Sequence, residues 1–262
     1  IPASDLSAAV IKGLLEKTGI APEQVDEVIL GQVLTTGCGQ NPARQAVISA
    51  GLPQGTPALT INNACGSGLK AVLLAVQAIE LYDADLIIAG GQDNMSLSGH
   101  LMPKYRNGIK TSNGNQVDTL INDGLWDLFN TYPMGIAAEN SVEKYGFSRE
   151  AQDAFAAASQ TKAEAALAAN RFADEIIPVV IPQRQGEPIV FDRDEQPHAG
   201  VIDRALGKLS PAFKVDGTVT AGNSSTLNDG AAIVIVCSAE KAEELGLEPL
   251  ASIAAYGSAA VD

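Results

Sequence analysis

The sequence is short of positive charge. Seventeen Lys and Arg stand against 31 Asp and Glu, a formal net charge of −14. That excludes a global nucleic-acid footprint, because phosphate binding starts from a basic surface, so any anionic ligand would need a locally built site. Histidine is scarcer still: His100 and His198 are too few and too far apart for a metal centre. Cysteine occurs three times, at 38, 65 and 237. An odd, widely spaced set does not make a disulfide framework and reads as a reduced, intracellular chain. There is no 18-residue apolar run and no basic-then-apolar leader, so no membrane association is expected. A soluble, cytoplasmic protein is the expectation, with an organelle of a eukaryote left open. Internal repeats and low-complexity tracts are lacking. Gly90-Gly91 lacks the spacing of a dinucleotide fingerprint, and Asp192-Arg-Asp-Glu195 reads as a solvated mixed-charge turn.

What is present is hydrophobic periodicity. The chain has 262 residues, 46% of them hydrophobic, enough for a large core and more than one domain. From Ser4, a candidate N-cap, Leu6, Val10, Ile11, Leu14 and Leu15 recur at helical spacing. Residues 28–30 predict a short strand, Asn41-Pro42 opens a helix, and 58–61 predict a second strand. The helix expected over 66–82 is apolar almost all round, as for a helix between layers, and 86–88 follow as a buried strand ended by Gly90-Gly91. Alternating strands and helices mean α/β with a largely parallel sheet. Between 96 and 221 the texture changes: a polar loop at 107–115, an Ala-rich helix at 148–170 and an apolar run at 176–181. The core pattern returns at 230–237, expected to be a fully buried strand, then a helix from 239 and a strand at 251–256. This predicts one α/β domain, 1–95 with 222–249, interrupted by an inserted domain at 96–221. The chain starts directly before a helix and stops just after a strand-like run, so a longer polypeptide is expected.

Cys65 is the informative position. It lies between the second strand and the apolar helix, in Ile61-Asn-Asn-Ala-Cys65-Gly-Ser-Gly68-Leu69. A thiol on a sharp strand-to-helix turn is presented outward, and the helix N-terminus beside it favours thiolate and could stabilise an oxyanion. A small buried cysteine is the competing explanation, and spacing alone leaves the two near even.

The run 61–79 resembles the acyl-enzyme signature of the thiolase family, agreeing at Ile61, Asn62, Cys65, Gly66, Ser67, Gly68, Leu69, Ala71, Val72 and Ile79. Gly39-Gln-Asn-Pro-Ala-Arg-Gln45, Gly90-Gly-Gln-Asp-Asn-Met-Ser96, Met134-Gly-Ile-Ala-Ala-Glu-Asn140 and Gly217-Thr-Val-Thr-Ala-Gly-Asn223 extend the resemblance along the whole chain. It is most similar to the acetyl-CoA C-acetyltransferase branch. The resemblance implies the N-terminal half of the thiolase fold, a mixed sheet with helices on both faces. It also implies an α+β loop domain inserted over coenzyme A, and a C-terminal half that begins at 250–262 and is otherwise absent. With that half would go the histidine that activates the thiol and a second cysteine that shuttles the substrate proton, so the 262 residues alone are not expected to turn over.

The implied chemistry is acyl transfer on CoA thioesters with Cys65 as nucleophile through an acyl-enzyme: two acetyl-CoA condense to acetoacetyl-CoA, or the reverse thiolysis runs. A longer-chain 3-ketoacyl-CoA thiolase of fatty acid oxidation and a non-catalytic CoA-binding half-domain are the alternatives. Carried over by position, Leu125, Met134, His198, Phe213, Ala221, Ser224 and Ser225 fall on CoA contacts. Coenzyme A enters as substrate and product, no resident cofactor or metal is implied, and a homodimer or homotetramer is. Small residues at 221–225 suit a narrow tunnel, although an ordinary Gly/Ser turn would have the same composition. Three positions depart from the family pattern. Pro133 replaces a usual His, which puts acyl-chain preference in question. His198 replaces an Arg of some members, and Ala205 replaces a serine. Trp126, the only Trp, could wall an acyl pocket or simply pack. Cys38 is expected to be structural or incidental, and Cys237 to belong to the core.

Overall fold

The computed structural model describes residues 1–108, 111, 114–197 and 206–260, in two compact units, Ile1–Thr119 with Asn228–Asp262 and Leu120–Leu227. The division therefore falls at 119/120 and 227/228, where the sequence had suggested 95/96 and 221/222. Residues 96–119 include the short hairpin β4 (His100–Leu101) and β5 (Val117–Asp118) and stay with the first unit.

The first unit is built on a four-stranded mixed sheet. In chain order its elements are α1 (Ala3–Thr18), β1 (Glu27–Gly31), α2 (Pro42–Ala50), β2 (Ala58–Ile61), α3 (Ser67–Glu80) and β3 (Leu86–Asn94). After the second unit come β10 (Asp229–Cys237) and α6 (Ala239–Glu244). The strand order is β10-β3-β1-β2, with β1 parallel to both β2 and β3 and β10 antiparallel to β3. Successive side chains alternate between two cores, as the period of a strand requires. Val28, Leu30, Leu86 and Ile88 pack with Ile11, Leu15, Ala46 and Val47 of α1 and α2, whereas Ile29, Ile87 and Ala89 pack with Ala71 and Ala75 of α3. The expected α/β class with helices on both faces is thus observed.

Local signals set the helix ends. The side chain of Asn41 accepts from the Arg44 amide at 3.2 Å and Pro42 fills the first turn of α2. Ser4, expected as an N-cap, instead lies buried inside α1, whose cap is Pro2 with no side-chain bond.

Other expectations are corrected by packing. Strand β3 runs on through Gly90-Gly91 rather than stopping there. A Cβ on Gly90 would sit 2.9 Å from the Cα of Ile233, so glycine lets β10 approach. Among the described residues strand β10 pairs on one side only and is not fully buried: Ile233, Ile235 and Cys237 pack on the α1/α2 core while Ala232 and Val234 are exposed. Helix α3 is covered on its sheet side only among the described residues, and Leu69 is 68% exposed. Residues 251–256, expected as a strand, form none and pair with no described strand.

The second unit contains a π-helical turn (Leu120–Leu125), the hairpin β6 (Trp126–Asp127) and β7 (Tyr132–Pro133), then α4 (Met134–Tyr145) and α5 (Arg149–Ala168). A second hairpin pairs β8 (Val179–Ile181) with β9 (Ile189–Phe191). Ser148 caps α5 by accepting from the Ala151 amide at 3.1 Å. No helix among the described residues is long and apolar enough to cross a membrane.

Candidate active site

Three parallel strands end in one row: Ile61 of β2 is in register with Gly31 of β1, and Gly31 with Gly91 of β3. The loop that carries Cys65 leaves β2 at this row, at the carboxyl edge of the parallel strands, where α/β sheets place their ligands. Helix α3 then descends onto the two glycines. A Cβ on Gly31 would be 2.5 Å from the Cβ of Ser67, and one on Gly91 would be 3.2 Å from the Cα of Gly68. Only side-chain-free positions admit this approach.

The loop itself is tied by short hydrogen bonds. The Asn62 side chain accepts from the Ala64 amide (2.9 Å), and the Asn63 carbonyl accepts from the Gly66 amide (3.1 Å). Ser67 Oγ donates to the Ala64 carbonyl at 2.6 Å and accepts from the Asn63 amide at 2.8 Å. Ala64 is held at φ +47°, a conformation that costs a non-glycine residue about 1–2 kcal/mol. The result is an exposed Cys65 at the apex of the turn, directly before Gly66, the N-cap of α3. Among the described residues Cys65 packs in neither core of the first unit.

The other two cysteines differ. Cys38 Sγ donates to the Leu34 carbonyl (3.3 Å) and accepts from Gln32 Nε2 (3.5 Å), inside a loop whose Val33 and Leu34 amides are held by Asp93. Cys237 packs on the α1/α2 core, and burial pushes its thiol pKa up.

The remaining candidates, so far as described, lie in the second unit. Leu125 ends the π-helical turn and Met134 begins α4. Phe213 lies against Gly135, the residue after Met134, where a Cβ would overlap the ring atoms. Trp126 and Pro133 are register partners in the β6–β7 hairpin. Ala221 is exposed, Ser225 Oγ donates to the Thr226 carbonyl (3.3 Å), and Ser224 Oγ is buried with no partner among the described residues. His198 and Ala205 lie outside the described residues. Among those described, no group of three His, Cys, Asp or Glu could hold a metal ion.

Sequence reasoning missed the polar frame that holds 217–223. Glu139, 2% exposed, accepts from the amides of Thr218 (2.8 Å) and Val219 (2.7 Å). Asn223 Nδ2 donates to Asp153 (3.0 Å) and to the Thr218 carbonyl (3.0 Å). The other Asp153 oxygen meets Arg149 at 2.8 Å, and Arg149 also donates to the carbonyls of Leu206 and Leu209. The only sequence signal was that Glu139 and Asn223 fall in two of the quoted motifs.

The first unit is an α/β domain with an exposed thiol on a strand-to-helix turn at the carboxyl edge of its parallel strands. Residues 1–240 match the family described as thiolase, N-terminal domain, and the chain belongs to that family. It is 61% identical over 262 residues to an acetyl-CoA acetyltransferase of Allochromatium vinosum, covering all of this chain and 66% of that protein. It is 63% identical to the acetyl-CoA acetyltransferase of Pseudomonas aeruginosa, covering 67% of that one. The crystal structure of the Bacillus anthracis acetyl-CoA acetyltransferase matches with a TM-score of 0.91 at 38% identity, over 95% of this chain and 63% of that chain. The chain thus spans about two thirds of the length of these relatives.

Proposed function

We propose that this chain supplies the nucleophile of an acetyl-CoA acetyltransferase, with Cys65 carrying the acyl group. Its thiolate adds to the carbonyl carbon of acetyl-CoA, the bond from that carbon to the CoA sulfur breaks, and CoA leaves as a thiolate that takes up a proton. The α-carbon of a second acetyl-CoA, having lost a proton, then attacks acetyl-Cys65. The new carbon–carbon bond releases acetoacetyl-CoA and returns the thiolate, and thiolysis is the same sequence reversed. A thioester suits both steps, because its carbonyl is electrophilic, its α-proton is relatively acidic and its thiolate leaves well.

The observation that carries this reading is the exposed Cys65 immediately before the N-terminus of α3, where the helix dipole favours negative charge. The names of the relatives support the substrate class. On this reading Leu125, Met134, His198, Phe213, Ala221, Ser224 and Ser225 contact coenzyme A. The groups that take the thiol proton and the α-proton belong to the C-terminal half of a longer polypeptide. Coenzyme A is substrate and product with no resident cofactor, and the protein works as a homodimer or homotetramer.

The test is thiolysis of acetoacetyl-CoA by the full-length polypeptide. Wild type forms acetyl-CoA and Cys65→Ala does not. Equal rates in the two would refute the assignment.

A further inference from the structure

Ser67 is buried at 4% exposure, yet its hydroxyl uses both of its functions within the segment Asn63–Ser67. It donates to the Ala64 carbonyl and accepts from the Asn63 amide, while its own amide donates to the same Ala64 carbonyl at 3.0 Å. Three bonds from one residue therefore close the loop on both sides of Cys65. They clamp Ala64 at φ +47°, a conformation uncommon for alanine. The backbone of Ser67 is fixed in turn, because it rests against Gly31 with no room between them.

Cys65 has no such anchor of its own. It is exposed, and the direction of its side chain is set by the backbone on either side of it. We infer that Ser67 is a positioning residue for the acyl-transfer step: its hydroxyl holds the Ala64–Gly66 backbone so that the Cys65 sulfur meets the face of the thioester carbonyl at the angle that addition requires. This inference rests on the acyl-transfer reading of Cys65 and adds a second residue to it. Orientation matters for attack on a bound carbonyl, where a displacement of about 1 Å can cost on the order of a hundredfold. It matters far less for a small reagent that meets an exposed thiol from solution.

That contrast supplies the test. In the full-length polypeptide, the rate of Cys65 acetylation at saturating acetyl-CoA is compared with its rate of alkylation by iodoacetamide, for wild type, Ser67→Ala and Asn62→Ala. Ser67→Ala is expected to lower acetylation by about tenfold or more while alkylation stays within about twofold. Asn62→Ala removes the exposed bond to the Ala64 amide and is expected to give a smaller loss with the same split, so the test survives if Ser67→Ala does not fold.

Acetylation unchanged in both variants overturns the inference. So does a parallel fall of acetylation and alkylation, which would mean that Ser67 governs folding or thiol access rather than direction. If wild-type Cys65 takes no acetyl group at all, the acyl-transfer reading fails and this inference falls with it. If wild type is acetylated and Ser67→Ala matches it, only the inference fails.

Discussion

Gly31 and Ser67 occupy the same space to within a methyl group: a Cβ on Gly31 would lie 2.5 Å from the Cβ of Ser67 and 2.7 Å from the Gly68 amide nitrogen. The first turn of α3, and with it Cys65, is seated by that closeness. Gly31→Ala is expected to lift the turn and destabilise the first unit by about 1–3 kcal/mol, the usual range for overpacking. Urea denaturation measures the loss. A midpoint equal to wild type would mean that α3 is not seated on the sheet in this way.

Glu139 is the counterpart in the second unit. Glu139→Ala would leave the Thr218 and Val219 amides without their acceptor and is expected to cost about 3 kcal/mol. Glu139→Gln keeps a carbonyl oxygen there and is expected to cost about 1 kcal/mol. Hydrogen exchange at Thr218 and Val219 reads the effect locally, with faster exchange in the alanine variant than in the glutamine one. Equal protection in both would show that the carboxylate does not hold this turn.

How much of this was legible in the sequence depended on the distance between partners. The strands 58–61 and 28–30 and the Cys65 turn were legible, because short apolar runs and Asn/Gly punctuation are local signals. The Glu139 frame was not: its acceptor bonds reach 79 and 80 residues along the chain, and a lone Glu on a helix has the pattern of a solvated face. Strand β10 has the composition of a buried strand, and nothing within 229–237 announces that among the described residues it has a neighbour on one side only. The all-round apolarity of α3 was read correctly as composition, but the cover it suggested on the far side is not found among the described residues. At Cys65 the motif gave the candidate nucleophile, whereas the tie from Ser67 back to Asn63 emerged only with the turn geometry.

Phe213 depends on Gly135. A side chain at 135 cannot share space with the ring, so Gly135→Ala is expected to displace Phe213 from α4. If these residues contact coenzyme A, the variant raises the KM for acetyl-CoA while kcat in thiolysis changes little. An unchanged KM would remove Phe213 and Met134 from the proposed contacts.

The three thiols should separate by reactivity. Burial pushes the Cys237 pKa up, so at a given pH less of it is thiolate and it reacts later than the exposed Cys65. Iodoacetamide labelling followed by peptide mapping should mark Cys65 first, with Cys237 gaining as the pH rises through its elevated pKa. Labelling of Cys237 ahead of Cys65 at neutral pH would contradict the assigned environments.

The most direct measurement is the site of acylation. The full-length polypeptide is mixed with acetyl-CoA, quenched in acid and digested, and the peptides are weighed. The acetyl group is expected on the peptide that carries Cys65, and to be lost when free coenzyme A is added before the quench. Turnover with no acetyl group at Cys65, or with the group on another residue, would contradict the account at its centre.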